Sequence, residues 1–238
     1  MLPYIAEFLG TAILILLGDG VVANVCLNKS GMKGAGPIQI TLGWGLAVLL
    51  PVCIFGAASG ASFNPAVTIA LAVAGTFSWS IVPGYILAEV LGAFVGACVV
   101  YMFFKDQFDA TEEQATKLGV FATAPAVRNI PRNTFCEAIG TFVLIFAILG
   151  IGHVTGAGAS GVSNLFVFAI IVSVGMSLGG TTGYAINPAR DLGPRIAHAL
   201  LPIKNKGTSN WSYGLIVPII GPIVGGLVAA LLFKVIPW

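Results

Sequence analysis

The stretch Asn187-Pro188-Ala189-Arg190-Asp191 decides the fold, because its first three residues recur as Asn64-Pro65-Ala66. Asparagine is a favoured helix N-cap and proline suits the first helical position, so each copy predicts the start of a helix. Arginine follows the second copy alone, and we interpret it as the one arginine inside an apolar segment. The sequence therefore predicts two short helices that begin alike in two halves of the chain.

The composition indicates an integral membrane protein. Of the 238 residues, 57% are hydrophobic and 8% are charged, whereas soluble domains carry about 25% charged residues. The apolar runs approach the roughly 20 residues that a membrane-crossing helix needs, and they lack the alternation of a membrane barrel. Residues 1–20 have no basic start and no small-residue cleavage site, so they predict a first crossing rather than a signal peptide.

Several classes of function are excluded by the same composition. The net charge is +2 and the basic residues are dispersed, which argues against nucleic-acid binding. No arrangement of nucleophile and base and no phosphate loop is evident, so we expect neither enzymatic activity nor a cofactor. The cysteines lie far apart and predict neither a metal site nor a disulfide. They are Cys26, Cys53, Cys98 and Cys136.

The chain divides into six apolar segments of spanning length and two shorter ones. The six predicted crossings are residues 3–24, 37–56, 81–104, 134–152, 162–181 and 211–236. The two shorter stretches, 65–75 and 188–200, each follow an Asn-Pro and are too short to span, so they predict re-entrant half-helices. The predicted fold is all-α, with six transmembrane helices and two half-helices.

The two halves of the chain repeat one another. Glu7 and Glu137 begin similar segments, and glycines four residues apart recur as the pairs Gly92, Gly96 and Gly221, Gly225. Three crossings are an odd number, so the second repeat enters from the opposite side of the membrane. We predict one domain, 1–238, built from inverted repeats at about 1–104 and 134–238. The charged connection 105–133 is interpreted as a solvated loop.

The predicted half-helices place partial positive charge and hydrogen-bond donors at the midplane of the membrane. A helix N-terminus has unpaired amides and carries partial positive charge, so two of them meeting head to head repel cations. Asn64 and Asn187, held there as caps, can donate amide hydrogens to a passing oxygen. Arg190 is costly inside lipid, at about 2.5–3.5 kcal/mol, and an intramembrane charge of this kind indicates a functional role by default.

Residues 59–68 and 182–191 together resemble the major intrinsic proteins, the aquaporin and glycerol-facilitator family. The resemblance implies an aquaporin-like fold and a passive channel for glycerol and other small uncharged solutes, with water permeability. Asp191 after Arg190 is similar to the glycerol-facilitator branch. A homotetramer in the plasma membrane is implied as well. Dihydroxyacetone, urea and lactic acid are further candidate solutes.

The resemblance also implies a selectivity filter made of Trp44, Gly175, Tyr184 and Arg190. The aromatic faces would receive the CH backbone of a polyol, and Arg190 its hydroxyls. Gly175 leaves room that a bulkier residue would fill. Two positions depart from the family pattern, Ser62 where histidine is frequent and Tyr184 where phenylalanine is common, so the solute stays open between these candidates.

Two buried acids are given a structural role by the resemblance. Glu7 and Glu137 are implied to accept hydrogen bonds from the backbone amides of the pore loops. The alternative is a pair that couples transport to protons, as intramembrane acids do in secondary transporters. A second rival is an ion channel, which the converging positive helix ends disfavour. Asp19 and Glu89 have no evident partner in the sequence.

Overall fold

All secondary structure in the computed structural model is helical, and the structure describes residues 1–238. Twelve helices follow one another along the chain. They are α1 (Leu2–Cys26), α2 (Pro37–Ser59), α3 (Pro65–Ala74), α4 (Val82–Phe103), α5 (Lys105–Asp109), α6 (Gln114–Phe121), α7 (Ile130–Ile151), α8 (Ala157–Ser160), α9 (Val162–Leu178), α10 (Pro188–Leu200), α11 (Trp211–Gly214) and α12 (Val217–Val235).

The long apolar helices agree with the predicted crossings. Five spans are long and apolar enough to cross a membrane, namely α1, α2, α4, α7 and the combined stretch Trp211–Val235. The sixth predicted crossing corresponds to α9, which has 17 residues and covers about 26 Å, somewhat less than the roughly 30 Å of a hydrocarbon core. The predicted all-helical membrane fold is confirmed.

The two half-helices begin where the Asn-Pro motifs predict. The side-chain oxygen of Asn64 accepts a hydrogen bond from the amide of Ala66, and Pro65 occupies the first helical position. Asn187 caps α10 in the same way. Helix α3 has 10 residues and ends at Gly75, where φ is +88° and the absence of a side chain matters. Neither helix is long enough to cross the bilayer.

Helix packing follows the same pattern in both halves of the chain. In the first half α1 packs against α2 and α4, and in the second half α7 packs against α9 and α12. Each half-helix also packs against a helix of the opposite half, since α3 contacts α12 and α10 contacts α4. The halves are interlocked, and the half-helices lie between them.

The paired glycines allow helix backbones to touch. A Cβ atom added to Gly225 would overlap the carbonyl oxygen of Ala138 in α7 and lie 2.8 Å from its carbonyl carbon. Gly92 in α4 meets the backbone of Phe8 in α1 in the same manner. Because backbone atoms cannot move aside independently, these glycines fix the distance between the first and third crossings of each half.

The connection 105–133 is not the solvated loop that its charges suggested. It contains α5 and α6, and it buries Phe108, Lys117 and Phe121. The ammonium of Lys117 donates a hydrogen bond to the carbonyl of Lys204. The prediction was wrong here because the charged positions obscured an alternation with apolar residues that pack inward, while the long lysine stem reaches a backbone acceptor.

Substituting Gly225 with alanine tests the close helix contact. The added methyl group meets backbone atoms of α7, so we expect a loss of about 1–3 kcal/mol of stability from overpacking, seen as a lower midpoint of thermal unfolding in detergent. Gly56→Ala is the matched control, because nothing lies within 4 Å of its Cβ position in α2. An unchanged midpoint for Gly225→Ala would contradict the contact.

Candidate functional site

The two helix N-termini meet at the centre of the molecule through reciprocal hydrogen bonds. Asn64 Nδ2 donates to the carbonyl of Ile186 at 2.8 Å, and Asn187 Nδ2 donates to the carbonyl of Phe63 at 2.8 Å. Each side-chain amide has two hydrogens, and its oxygen is occupied by the cap of its own helix. One N–H on each asparagine is left without a partner among these bonds.

The loops that lead into α3 and α10 adopt a strained backbone. Left-handed φ angles occur at Ala61 (+53°), Phe63 (+48°), Tyr184 (+38°) and Ile186 (+42°), none of which is glycine. Such conformations cost about 1–3 kcal/mol each and persist where the surroundings enforce them. Helix α2 continues to Ser59, so the irregular backbone before α3 begins at its C-cap, Gly60.

Two buried carboxylates enforce this backbone. Glu7 accepts hydrogen bonds from the amides of Ser62 at 3.1 Å and Phe63 at 2.7 Å. Glu137 accepts from the two consecutive amides that precede Asn187, at 2.9 and 2.8 Å. Both acids are fully buried by the protein. Each carboxylate therefore closes one loop onto the first helix of its own half, and charge-assisted bonds of this kind are strong.

Arg190 lies one turn into α10 and is surrounded by three different groups. Its Cζ lies 4.1 Å from the centroid of the Trp44 ring, in cation–π geometry. Its Nη1 donates to the carbonyl of Phe121 at 3.4 Å and lies 3.9 Å from Oδ1 of Asp19. The residue is 7% exposed, so its guanidinium reaches the cavity described below from a buried position.

Tyr184 takes the space that Gly175 leaves open. A Cβ on Gly175 would lie 2.9 Å from Cζ of Tyr184 and 2.6 Å from Cγ2 of Thr41. Gly175 is itself buried and is not among the residues that line the cavity. The hydroxyl of Tyr184 is buried without a hydrogen-bond partner. The structure brings Trp44, Tyr184 and Arg190 together and places Gly175 behind the tyrosine.

Asp191 points away from the cavity into a buried network. It accepts hydrogen bonds from the amide and hydroxyl of Thr123, at 2.8 and 2.7 Å, and from Nε of Arg195 at 2.7 Å. Arg195 also donates to the carbonyl of Ser209 at 2.7 Å. The network fastens the 105–133 connection to α10, and so holds the Phe121 carbonyl beside Arg190.

Sequence reasoning missed Thr123 and Arg195 in this network. The statement that Arg190 is the one arginine inside an apolar segment was wrong, since Arg195 is also in α10 and is completely buried. The four-residue spacing of Asp191 and Arg195 is the signal that would have found the pair. Nothing in the sequence points to Thr123, which reaches Asp191 from a distant part of the chain.

A cavity of about 250 Å³ runs along these groups. Residues from both halves line it, and most of them are hydrophobic. Its polar lining consists of Ser62, Asn64, Ser163, Asn164, Tyr184, Asn187 and Arg190, together with the backbone of the two loops. Its apolar lining includes Leu14, Trp44, Val48, Val52, Phe63, Val67, Leu71, Leu144, Ile148, Val167 and Ile171. Trp44, Tyr184, Arg190 and both asparagines therefore share one space.

The architecture defines a multi-pass membrane protein in which two half-helices meet head to head beside a cavity. The sequence model of the major intrinsic protein family matches residues 2–233. The chain belongs to that family, whose members are membrane channels and not enzymes.

Curated relatives match over nearly the whole chain. A probable glycerol uptake facilitator protein of Thermotoga maritima is 55% identical, with 98% of this chain and 99% of the relative covered. Glycerol uptake facilitator protein 3 of Lactiplantibacillus plantarum is 52% identical, with 99% and 97% covered. A D/L-lactic acid transporter of the same organism is 42% identical, with 95% and 94% covered.

A solved structure agrees with the fold. The aquaglyceroporin from Plasmodium falciparum superimposes with a TM-score of 0.84 at 32% sequence identity. The match covers 98% of this chain and 95% of that one. The fold of the present chain is thus shared along its whole length.

Glu137→Gln tests the carboxylate that holds the second loop. The amide side chain offers one acceptor and one donor, so one of the two loop N–H groups would face a donor. We expect a loss of about 1–3 kcal/mol of stability, as for a buried unsatisfied donor, measured as a lower thermal midpoint in detergent. Glu113→Gln is the matched control on an exposed residue. Equal midpoints for the two variants would contradict the assigned role.

Proposed function

We propose that the chain is a passive, bidirectional channel for glycerol and other small uncharged solutes, permeable to water and closed to ions and protons. The observation that carries the proposal is the meeting of Trp44, Tyr184 and Arg190 beside two head-to-head helix N-termini in one cavity. The relatives named above as glycerol facilitators support glycerol as the main solute. Lactic acid is a further candidate, because one relative is named for it.

The midplane excludes cations by its charge and by its hydrogen bonds. The N-termini of α3 and α10 direct partial positive charge towards the same point, which repels cations and hydronium. Asn64 and Asn187 each keep one amide hydrogen free, and both can donate to the oxygen of a passing water or hydroxyl. Neutral solutes that accept hydrogen bonds are admitted there, whereas a cation gains nothing from a donor.

Solute choice is made at the constriction formed by Trp44, Tyr184 and Arg190. The ring faces of the two aromatic residues receive a CH backbone, and the guanidinium of Arg190 donates to hydroxyls on the opposite side of the solute. The Tyr184 hydroxyl is buried without a hydrogen-bond partner, and the Cζ atom that carries it lies beside Gly175, so the tyrosine offers its ring to the solute. Tyr184 and Ser62, which also lines the cavity, set the preference among glycerol, dihydroxyacetone, urea, water and lactic acid.

The proposal extends to the domain organisation and the oligomeric state of the protein. The chain is one domain of two inverted repeats, about 1–104 and 134–238, joined by 105–133. Large apolar side chains are exposed along the crossing helices, among them Leu46, Leu87 and Leu231. Such surfaces suit contact with lipid and with other subunits. We place the chain in the plasma membrane as a homotetramer with one pore in each subunit.

Proton-coupled transport is disfavoured by the position of the two acids. Each oxygen of Glu7 and Glu137 already accepts a loop amide. Neither residue lines the cavity. A coupling acid must exchange protons with the translocation path, and releasing these carboxylates would free the strained loops.

Light scattering by proteoliposomes tests the channel directly. After a glycerol gradient is imposed, we expect rapid swelling that increases linearly with concentration and does not need a proton gradient. Water should equilibrate rapidly as well, and sorbitol should not enter. Uptake that saturates, or that requires a proton gradient, would overturn the proposal. Ion currents in planar bilayers would do the same.

Gly175→Val tests the constriction through Tyr184. The added side chain overlaps Tyr184 and Thr41, so the tyrosine ring must move towards the cavity. We expect glycerol permeability to fall on the order of tenfold, equivalent to about 1.4 kcal/mol in the barrier, with a smaller loss for water. Gly180→Ala is the control, since nothing lies within 4 Å of that Cβ position. Equal losses of glycerol and water permeability would count against this role for Gly175.

A further inference from the structure

Asp19 is a buried acid without a hydrogen bond. It lies in α1 between Gly18 and Gly20 and is 0% exposed. Neither of its carboxylate oxygens has a hydrogen-bond partner. A buried carboxylate without compensation is costly, so its environment must supply opposite charge.

The charge that faces Asp19 belongs to Arg190. The Nη1 atom of the guanidinium lies 3.9 Å from Oδ1, which is too far for a hydrogen bond but close enough for strong attraction in a buried setting. Asp19 does not line the cavity. The acid therefore stands behind the arginine, on the side away from the solute.

The neighbouring acid cannot serve as the partner of Arg190. Asp191 is occupied by Thr123 and Arg195. The other polar contact of Arg190 is one long bond to a carbonyl, at 3.4 Å. Within 4 Å, Asp19 is the acidic side chain that pairs with Arg190.

The local packing places α1 against the constriction. A Cβ on Gly18 would overlap the six-membered ring of Trp44, so the indole lies directly on the helix backbone next to Asp19. The same indole carries Arg190 on its face at 4.1 Å. Trp44 and Arg190 thus pack together against the segment of α1 that contains Asp19.

We propose that Asp19 is a positioning residue that determines specificity by neutralising and holding Arg190 from behind. The inference rests on the proposed function, because it concerns solute choice at the same constriction. With the carboxylate in place, the guanidinium is drawn towards α1 and presents hydrogen-bond donors with little net charge. Without it, the guanidinium leans into the cavity and binds solute hydroxyls more tightly, which slows a three-hydroxyl solute more than water.

A double-mutant cycle of Asp19→Asn and Arg190→Val tests the pairing. Glycerol and water permeabilities are measured by light scattering for wild type, both single variants and the double variant. We expect Asp19→Asn to lower the glycerol-to-water ratio by roughly fivefold, equivalent to about 1 kcal/mol in the relative barrier, and to change nothing further when Arg190 is absent. A ratio that is unchanged, or that falls equally in both backgrounds, overturns the proposal.

Glu89→Gln is the matched control. Glu89 is also a buried acid with an unpartnered oxygen, and its bonded oxygen accepts from Thr68 at 2.6 Å, away from Arg190. Its ratio should equal that of wild type. A shift as large as that of Asp19→Asn would show that removing any buried carboxylate alters the ratio, and would overturn a specific role.

Unfolding measurements keep the test decisive if permeability cannot be used. The same four proteins are compared by thermal unfolding in detergent, where paired charges give a non-additive cycle. If Asp19→Asn fails to fold but the double variant folds, the acid is needed only to neutralise Arg190, and the pairing is supported. If Arg190→Val folds and the double variant does not, the acid acts independently and the pairing is overturned. Absence of glycerol flux in wild type would reject the proposed function while leaving this cycle readable.

Discussion

Two hydrogen bonds at the centre of the molecule, from Asn64 to the Ile186 carbonyl and from Asn187 to the Phe63 carbonyl, are the constraint on which the remaining structure depends. Each bond joins the cap of one half-helix to the loop of the other. The two helix N-termini would repel one another through their dipoles if nothing opposed this. The crossed bonds hold them together, and they do so with the same side chains that cap the starts of the two helices.

The carboxylates of Glu7 and Glu137 complete this centre from outside. Each one binds two consecutive loop amides and so enforces left-handed backbone at residues that disfavour it. The glycine contacts between α1 and α4, and between α7 and α12, then set how closely the helices carrying those acids approach the third crossing of each half. The shape of the loops that line the cavity therefore depends on the two acids, and the positions of the acids depend on the spacing of the helices.

Much of this could be predicted from the sequence, because the signals were local. Asparagine followed by proline fixed the starts of α3 and α10, and apolar length gave five crossings and the shorter α9. The Asp191–Arg195–Thr123 network was not predicted. Its partners lie far apart along the chain, and burial of Lys117 and Phe121 depends on tertiary packing that a run of charges conceals. The position of Gly175 behind Tyr184, rather than on the cavity, likewise depends on a side-chain direction that spacing alone does not give.

The two asparagines donate to the carbonyls of Phe63 and Ile186, and the two glutamates accept from loop amides. The centre is therefore built from backbone groups and four side chains, those of Asn64, Asn187, Glu7 and Glu137. Ser62 and Tyr184 lie in those loops, and their side chains make none of these hydrogen bonds. Under the proposed function, single substitutions at these two positions would therefore change the preferred solute without removing the bonds that hold the two helix N-termini together. The side chains that hold the centre together are therefore different from those at Ser62 and Tyr184. Relatives of this chain are accordingly named for different solutes, glycerol and lactic acid.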